Sequence, residues 1–412
     1  MSKRRFNEKP RHLYLVLDDW SQGCSICKIK VSHEDIHPPL IPADVARGGD
    51  DHVFTGRHTL PSALLRFEAR RGEPKSIVGA FDHKILATPP PTHGKKKKKK
   101  SLIVNIVDVH ARAFVVGSWP MLQDVLLDPI IYIPIDEYRL FTLSVGSFDM
   151  LYMPPTYDDA NRKKNFSCLD LPKPAFQGDL VTSYAVHPDE QTIFVSSVEQ
   201  SPGIVVPATF SFRTAEPMMW RRHGQWQLPF TGRGYFDPRL DAWVGLSGDL
   251  NTVGHICSCD VVSTDAVVAS RPALKISKEK LFSMVPAERH IGATLVYMGG
   301  GESNFCLLES IHIEDDIADQ STDSDDETNE VSSVDEVNEI DFDDSNEAND
   351  EESVDEVGGE LDPKRFLRLT TFSLQYGRNG ALTTGNSRRV WYYSMPLQVT
   401  EAMLKYPVAF WM

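Results

Sequence analysis

The chain has 412 residues, too many for one ordinary core and suited to two domains or to one large repeat architecture. Apolar residues make up 41% of it, yet no run of about 18 of them occurs, which excludes a transmembrane helix. The formal net charge of −15 is local: residues 314–360 hold 22 Asp and Glu and no Lys or Arg, and the other 43 basic and 36 acidic residues balance at +7. Without Lys95 to Lys100 that balance falls to +1, so no global field points to nucleic acid or to a membrane surface.

The start, Met1-Ser2-Lys3-Arg4-Arg5, is basic but no apolar segment of a signal peptide follows, so an intracellular protein of cytoplasm or nucleus is expected. Six cysteines in this length fit free buried thiols in a reducing compartment better than a disulfide framework.

Residues 1–11 read as a flexible N-terminus and residues 12–412 as one β domain. The aliphatic run at 13–17 and the alternating run at 25–31 make a first hairpin. Residues 32–62 read as a long loop, 63–69 as a strand, and 76–80 with 85–88 as a hairpin around Asp82-His83-Lys84. Residues 89–100, three prolines followed by six lysines, form an exposed Pro/Lys-rich loop, because Pro removes donors and like charges repel. The strand pattern resumes at 102–107, 113–116, 130–133, 139–145 and 148–152, and residues 154–180 are loop-like.

Residues 181–246 hold several short runs closed by Pro, Gly or Asp: 184–186, 192–198, 209–213, 226–229, 234–236 and 242–246. Strands follow at 255–260, 293–298 and 305–313, and residues 272–286 are the best candidate for a short helix. Residues 314–362 are an acidic insert with too little apolar surface to offset the entropy of ordering, and disorder is expected there. It separates two apolar strands that would otherwise be hairpin partners, since 366–376 alternates clearly. The chain ends on runs at 389–395 and 408–412.

About twenty short strands with turn residues between them predict a mostly β chain, a single β-propeller of five to six four-stranded antiparallel blades, with two stacked β domains as the alternative. In a closed propeller the last strand pairs with the first ones, a role that suits 408–412 and 13–17.

Chemistry is sparse. Cys24 and Cys27 have the spacing of half a zinc site, and His255, Cys257 and Cys259 could add ligands. On a strand, however, an offset of three places side chains on opposite faces, so no metal and no cofactor is expected. No nucleophile elbow, zincin motif, P-loop or dinucleotide fingerprint occurs. Asp18 with Asp19, Asp158 with Asp159, and Asp237 with Asp241 are carboxylate pairs, and the last pair, flanking Pro238, suits turn capping better than catalysis. His187 and His290 are loop-type candidates for a binding face. Trp119, Trp220, Trp226, Trp243 and Trp391 read as core, and Lys95 to Lys100 as a solvated loop or a weak nuclear-import signal. No catalytic residue is assigned.

The segments 11–20, 181–196, 209–212, 226–246, 257–262, 289–300, 367–376 and 407–412 together resemble a large plant family, expanded in grasses, of proteins that carry a domain of unknown function. The resemblance implies a kelch-like or F-box-associated-type β-propeller and a plant protein, and carries no activity. Two departures, the lysine run and the acidic insert, both fall between strands. Strand-like sequence begins at Leu13, so no F-box is expected ahead of the propeller. The leading expectation is a non-enzymatic, monomeric protein-interaction scaffold. The alternatives are an enzyme or sugar-binding propeller whose channel site uses Asp18, Asp19, Asp237, Asp241, His187 and His290, and a nuclear protein that binds basic partners through residues 314–360.

Overall fold

The computed structural model describes residues 10–31, 53–87, 101–120, 131–153, 167–201, 204–264, 270–299, 301–313 and 364–412. The lysine run and the acidic insert lie outside these residues.

Strands are numbered in chain order. One sheet has β1 (Leu13–Trp20), β2 (Gly23–Ile29), β4 (Ala63–Glu68) and β27 (Val408–Trp411) in the order β27-β1-β2-β4. A second runs β5 (Ile77–Ala80), β6 (Lys84–Ala87), β7 (Ser101–Asp108) and β8 (Ala113–Pro120). A third contains β9 (Ile131–Pro134), β10 (Arg139–Leu143), β11 (Phe148–Tyr152) and β12 (Ser167–Asp170).

A ten-stranded sheet begins with β13 (Val181–Val186), β14 (Thr192–Ser201), β15 (Ile204–Arg213) and β16 (Met219–Gly224). It continues with β17 (Phe230–Asp237), β18 (Ala242–Ser247), β19 (His255–Asp260) and β20 (Leu274–Lys280), and carries the short β24 (Gln375–Tyr376) and β25 (Leu382–Thr383) at its end. The last sheet holds β21 (Glu288–Gly299), β22 (Asn304–Ile313), β23 (Lys364–Ser373), β26 (Arg389–Ser394) and β3 (Val53–His58). One helical turn, α1 (Glu401–Lys405), precedes β27.

The ten-stranded sheet is two antiparallel units joined by a short parallel contact, Ser183–Ala185 against Gly232–Gly234. The described chain is therefore mostly β, built of repeated four-stranded antiparallel units that follow one another in sequence. Alternating side chains give each unit two apolar faces. Leu140 and Leu151 of the third sheet pack with Leu86 and Ile106 of the second, while Phe141 and Phe148 meet Phe210 and Phe212 of β15. Phe194 meets Trp243 across the next interface, and Val244 and Ile256 meet Phe305 and Leu307 across the one after. Leu308 and Leu369 of the last sheet then pack with Leu15 and Ile26 of the first.

A series of turns at one end of the sheets repeats the same chemistry. Asp136, Asp189 and Asp237 each follow or end the first strand of a unit and accept the backbone N–H groups two and three residues on. Such Asx turns fix the reversal locally. Glu190 and Asp241 then adopt left-handed φ of 53° and 48° just before the second strand. Neighbouring turns are tied together. Arg139 donates to Glu190 O at 3.0 Å and to Thr214 Oγ1 at 3.1 Å, and Trp243 Nε1 donates to Val186 O at 2.9 Å. Ser303 Oγ donates to Asp237 Oδ1 at 2.7 Å, and Arg239 pairs with Glu302.

Several expectations change. Residues 272–286 contain β20 and no helix; the helix propensity of Lys278, Glu279 and Lys280 yields to pairing with β19. Residues 226–229 are not a strand: Trp226 and Leu228 are buried as core while β16, earlier in the chain, supplies the ladder. The loop-like stretches contain β3, paired parallel with β26, and β12. The helical turn α1 was not foreseen; Thr400 caps it by accepting from Met403 N. The pairing of residues 408–411 with β1 and of the strands flanking the insert is as expected, the latter unbroken from Asn304↔Ser373 to Ile313↔Lys364.

Two outcomes follow from this arrangement. Asp237 is fully buried and serves three donors, so Asp237→Ala should cost about 2–3 kcal/mol in denaturant unfolding, against about 1 kcal/mol for the half-exposed Asp189→Ala. On the expectation of an unordered connection, replacing residues 314–363 by a four-residue turn should raise stability by about 2 kcal/mol, measured the same way.

Candidate binding cleft

The side chains of β14, β15 and β16 alternate between two faces. Ile193, Phe210, Phe212 and Trp220 fill the core shared with the third sheet. The register pairs Thr192 with Arg213 and Arg213 with Met219, then Phe194 with Ser211 and Ser211 with Arg221. These residues share the opposite face, which turns toward β17–β20. Phe194 closes that interface against Trp243, but nearer the edge the face becomes polar. A cleft of about 440 Å³ opens there, lined by Asp189, Gln191, Thr192, Ser211, Arg213, Met219, Trp220, Arg221 and Thr264. That size is in the range of small-ligand and side-chain pockets.

The charges in the cleft are unequal. Asp189 is occupied by its own turn, accepting from Gln191 N, Thr192 N and Thr192 Oγ1, and these bonds with His187 nearby hold its carboxyl below the usual range against the opposing effect of burial. Arg221 donates to Thr264 O at 3.1 Å. Neither Arg213 nor Arg221 pairs with a carboxylate among the described residues. Behind them Ser211 Oγ lies 2.8 Å from His223 Nε2, and His223 Nδ1 is buried without a partner. Burial, and secondarily the Arg221 charge, pushes the His223 pKa down, so the imidazole is held neutral.

None of the six sequence candidates lines this cleft. Asp18, fully buried, accepts from Gly72 N and from Thr400 N and Oγ1. Asp19 Oδ1 is buried without a hydrogen bond. Asp237 and Asp241 belong to the β17–β18 turn, and His187 Nδ1 accepts from Asp189 N in the β13–β14 turn. His290 stacks on Phe282 at 4.1 Å and meets the buried Glu309, which also pairs with Arg368 at 2.9 Å. Asp158 and Asp159 lie outside the described residues.

Cys24 and Cys27 are buried free thiols in the core beneath β1, with pKa values pushed up by burial to about 12 and about 11. Cys257 and Cys259 pack together with Trp243, and Cys257 is likewise raised to about 12. His255 turns to Ser277 O. Among the described residues no three His, Cys, Asp or Glu side chains are grouped to hold a metal. Arg213, Arg221, Ser211 and His223 escaped the sequence reading, because strand register alone unites them.

Residues 10–393 match the family described as protein of unknown function (DUF1668), and the chain is a member of it. No curated protein matches the chain. Three solved structures similar to it have low TM-scores. The periplasmic gluconolactonase of Pseudomonas aeruginosa shares 10% identity over 94% of this chain and 99% of its own, with a TM-score of 0.39. An ancestral GH74 enzyme shares 11% over 57% of this chain, which spans 32% of that enzyme, with a TM-score of 0.32. Hydrazine synthase of Kuenenia stuttgartiensis shares 9% over 77% and 66%, at 0.33.

The neutral His223 makes stability depend on pH. The unfolded imidazole binds a proton near its ordinary value of 6.5, whereas the folded one does so only at lower pH. The unfolded state then holds more protons, and stability falls as pH drops below about 6.5. Urea midpoints at pH 5.5 and 7.5 should differ less in His223→Gln than in the natural sequence.

Proposed function

We propose that the chain is a protein-interaction scaffold, a single β-propeller of six four-stranded blades that presents its outer strands to partners. The ring is supported by the succession of interfaces, each unit on the next and the last on the first, and by the pairing of β27 with β1. The kelch-like type and a plant source rest on the sequence resemblance alone, and the free buried thiols suit a reducing compartment inside the cell.

The observation that carries the reading is the state of the outer edges. Two are occupied by other segments of the chain itself: β3 runs parallel along β26, and β25 along β20. Four others, β4, β8, β12 and β16, end their sheets among the described residues. Three of them carry exposed apolar side chains, Val116 at 59%, Leu169 at 45% and Met219 at 56%, the last beside Arg221 and Arg222 of the same strand. An edge with free backbone groups and apolar side chains takes an extended peptide as an added strand.

Affinity capture from cells with the natural chain and with Val116→Lys, Leu169→Lys and Met219→Lys tests this. At least one substitution should remove a reproducible set of partners without lowering the unfolding midpoint. The same partners captured by all three and by the triple variant would overturn the reading.

A further inference from the structure

We infer that the cleft beside β16 is a carboxylate-recognition site, which reads an Asp or Glu side chain on an extended segment of a partner protein. The inference rests on the edge-docking reading above and names the chemistry of one edge.

Arg213 and Arg221 are diagonal neighbours on one face, since Arg213 pairs with Met219 and Arg221 stands two residues further along β16. Diagonal side chains on adjacent strands are within reach of one another. Two guanidinium groups in one cleft repel, and neither pairs with a carboxylate among the described residues. An incoming carboxylate relieves that repulsion and can take charge-assisted bonds from both.

The rest of the lining fits the same occupant. Asp189 is an ionised carboxylate in the same cleft, but its oxygens are directed to its own turn and it pairs with neither arginine among the described residues, so the lining keeps a net positive charge. Met219 offers an exposed apolar surface at the strand edge, where the aliphatic stem of a Glu would lie. Arg222, on the other face, already pairs with Glu199 and does not compete. The buried His223 beside the site lacks a partner on Nδ1, so in either tautomer one ring nitrogen is unsatisfied. Arg221 disfavours its protonation, and a carboxylate on Arg221 would cancel that effect and let the imidazole titrate higher.

The test uses the full chain and three capped octapeptides of alternating Val and Thr on a polyethylene glycol tail, with Val, Gln or Glu at the same central position. Binding is measured by titration calorimetry, and the His223 ring by NMR. The Glu peptide should bind about tenfold tighter than the Gln peptide, the difference expected of a charge-assisted bond. Arg213→Gln and Arg221→Lys should each reduce that preference, and the His223 titration should move to higher pH with the Glu peptide only.

Equal binding of Glu and Gln peptides would overturn the carboxylate site and leave strand addition standing. Binding of none, or binding unaffected by Met219→Pro, would overturn docking at β16 and the inference with it. A Glu preference seen only after replacement of residues 314–363 would overturn a partner as the occupant, in favour of the chain's own acidic segment.

Discussion

The antiparallel pairing of Leu13–Val16 with Val408–Trp411 holds residues from opposite ends of the sequence in one sheet. His12 and Met412 exchange backbone hydrogen bonds in both directions where that ladder ends. Without the last strand, Leu15 and Val16 would lose a neighbour on the open side of β1, and the core shared by the first and last sheets would open to water. Asp18 reinforces the pairing by gripping Thr400, the residue that caps α1 and sets the approach to β27. A contact of such sequence separation forms late and slowly, because the whole intervening chain must be ordered before it is rewarded.

Polar groups in this molecule are spent mainly on local geometry. Asp136, Asp189 and Asp237 reverse the chain and then lend neighbouring turns something to hold. Carboxylates that looked like pairs in the sequence are separated by this use: Asp237 faces inward to Ser303, while Asp241 sits in the left-handed position of the same turn. The interfaces themselves are aromatic and aliphatic, with Phe148 edge-on to Phe212 at 4.8 Å and Phe194 against Trp243 at 5.2 Å. Where Thr192, Ser211 and Arg221 replace apolar side chains the interface does not close, and there the cleft appears.

Much of the fold was legible because a strand that buries one or both faces leaves an apolar pattern, as at 148–152 and 255–260, which match β11 and β19 residue for residue. Strands at or beside sheet edges leave less: β16 reads Met-Trp-Arg-Arg-His-Gly, and β20, flanked on its far side by the two-residue β25, is rich in Lys and Glu. The turn role of Asp237 was legible from its Pro and Arg neighbours. The cleft was not. Arg213 and Arg221 fall on one face because Arg213 pairs with Met219 and Arg221 stands two residues on from Met219, and no local pattern encodes that register.

The thiols of Cys24, Cys257 and Cys306 sit at the hearts of three different sheets, each buried and each held protonated by its surroundings. A thiolate-seeking reagent therefore meets none of them until the strands around it part. The molecule thus carries three built-in clocks for its own breathing, placed at β2, β19 and β22, whose rates of modification rank how often each region of the structure opens.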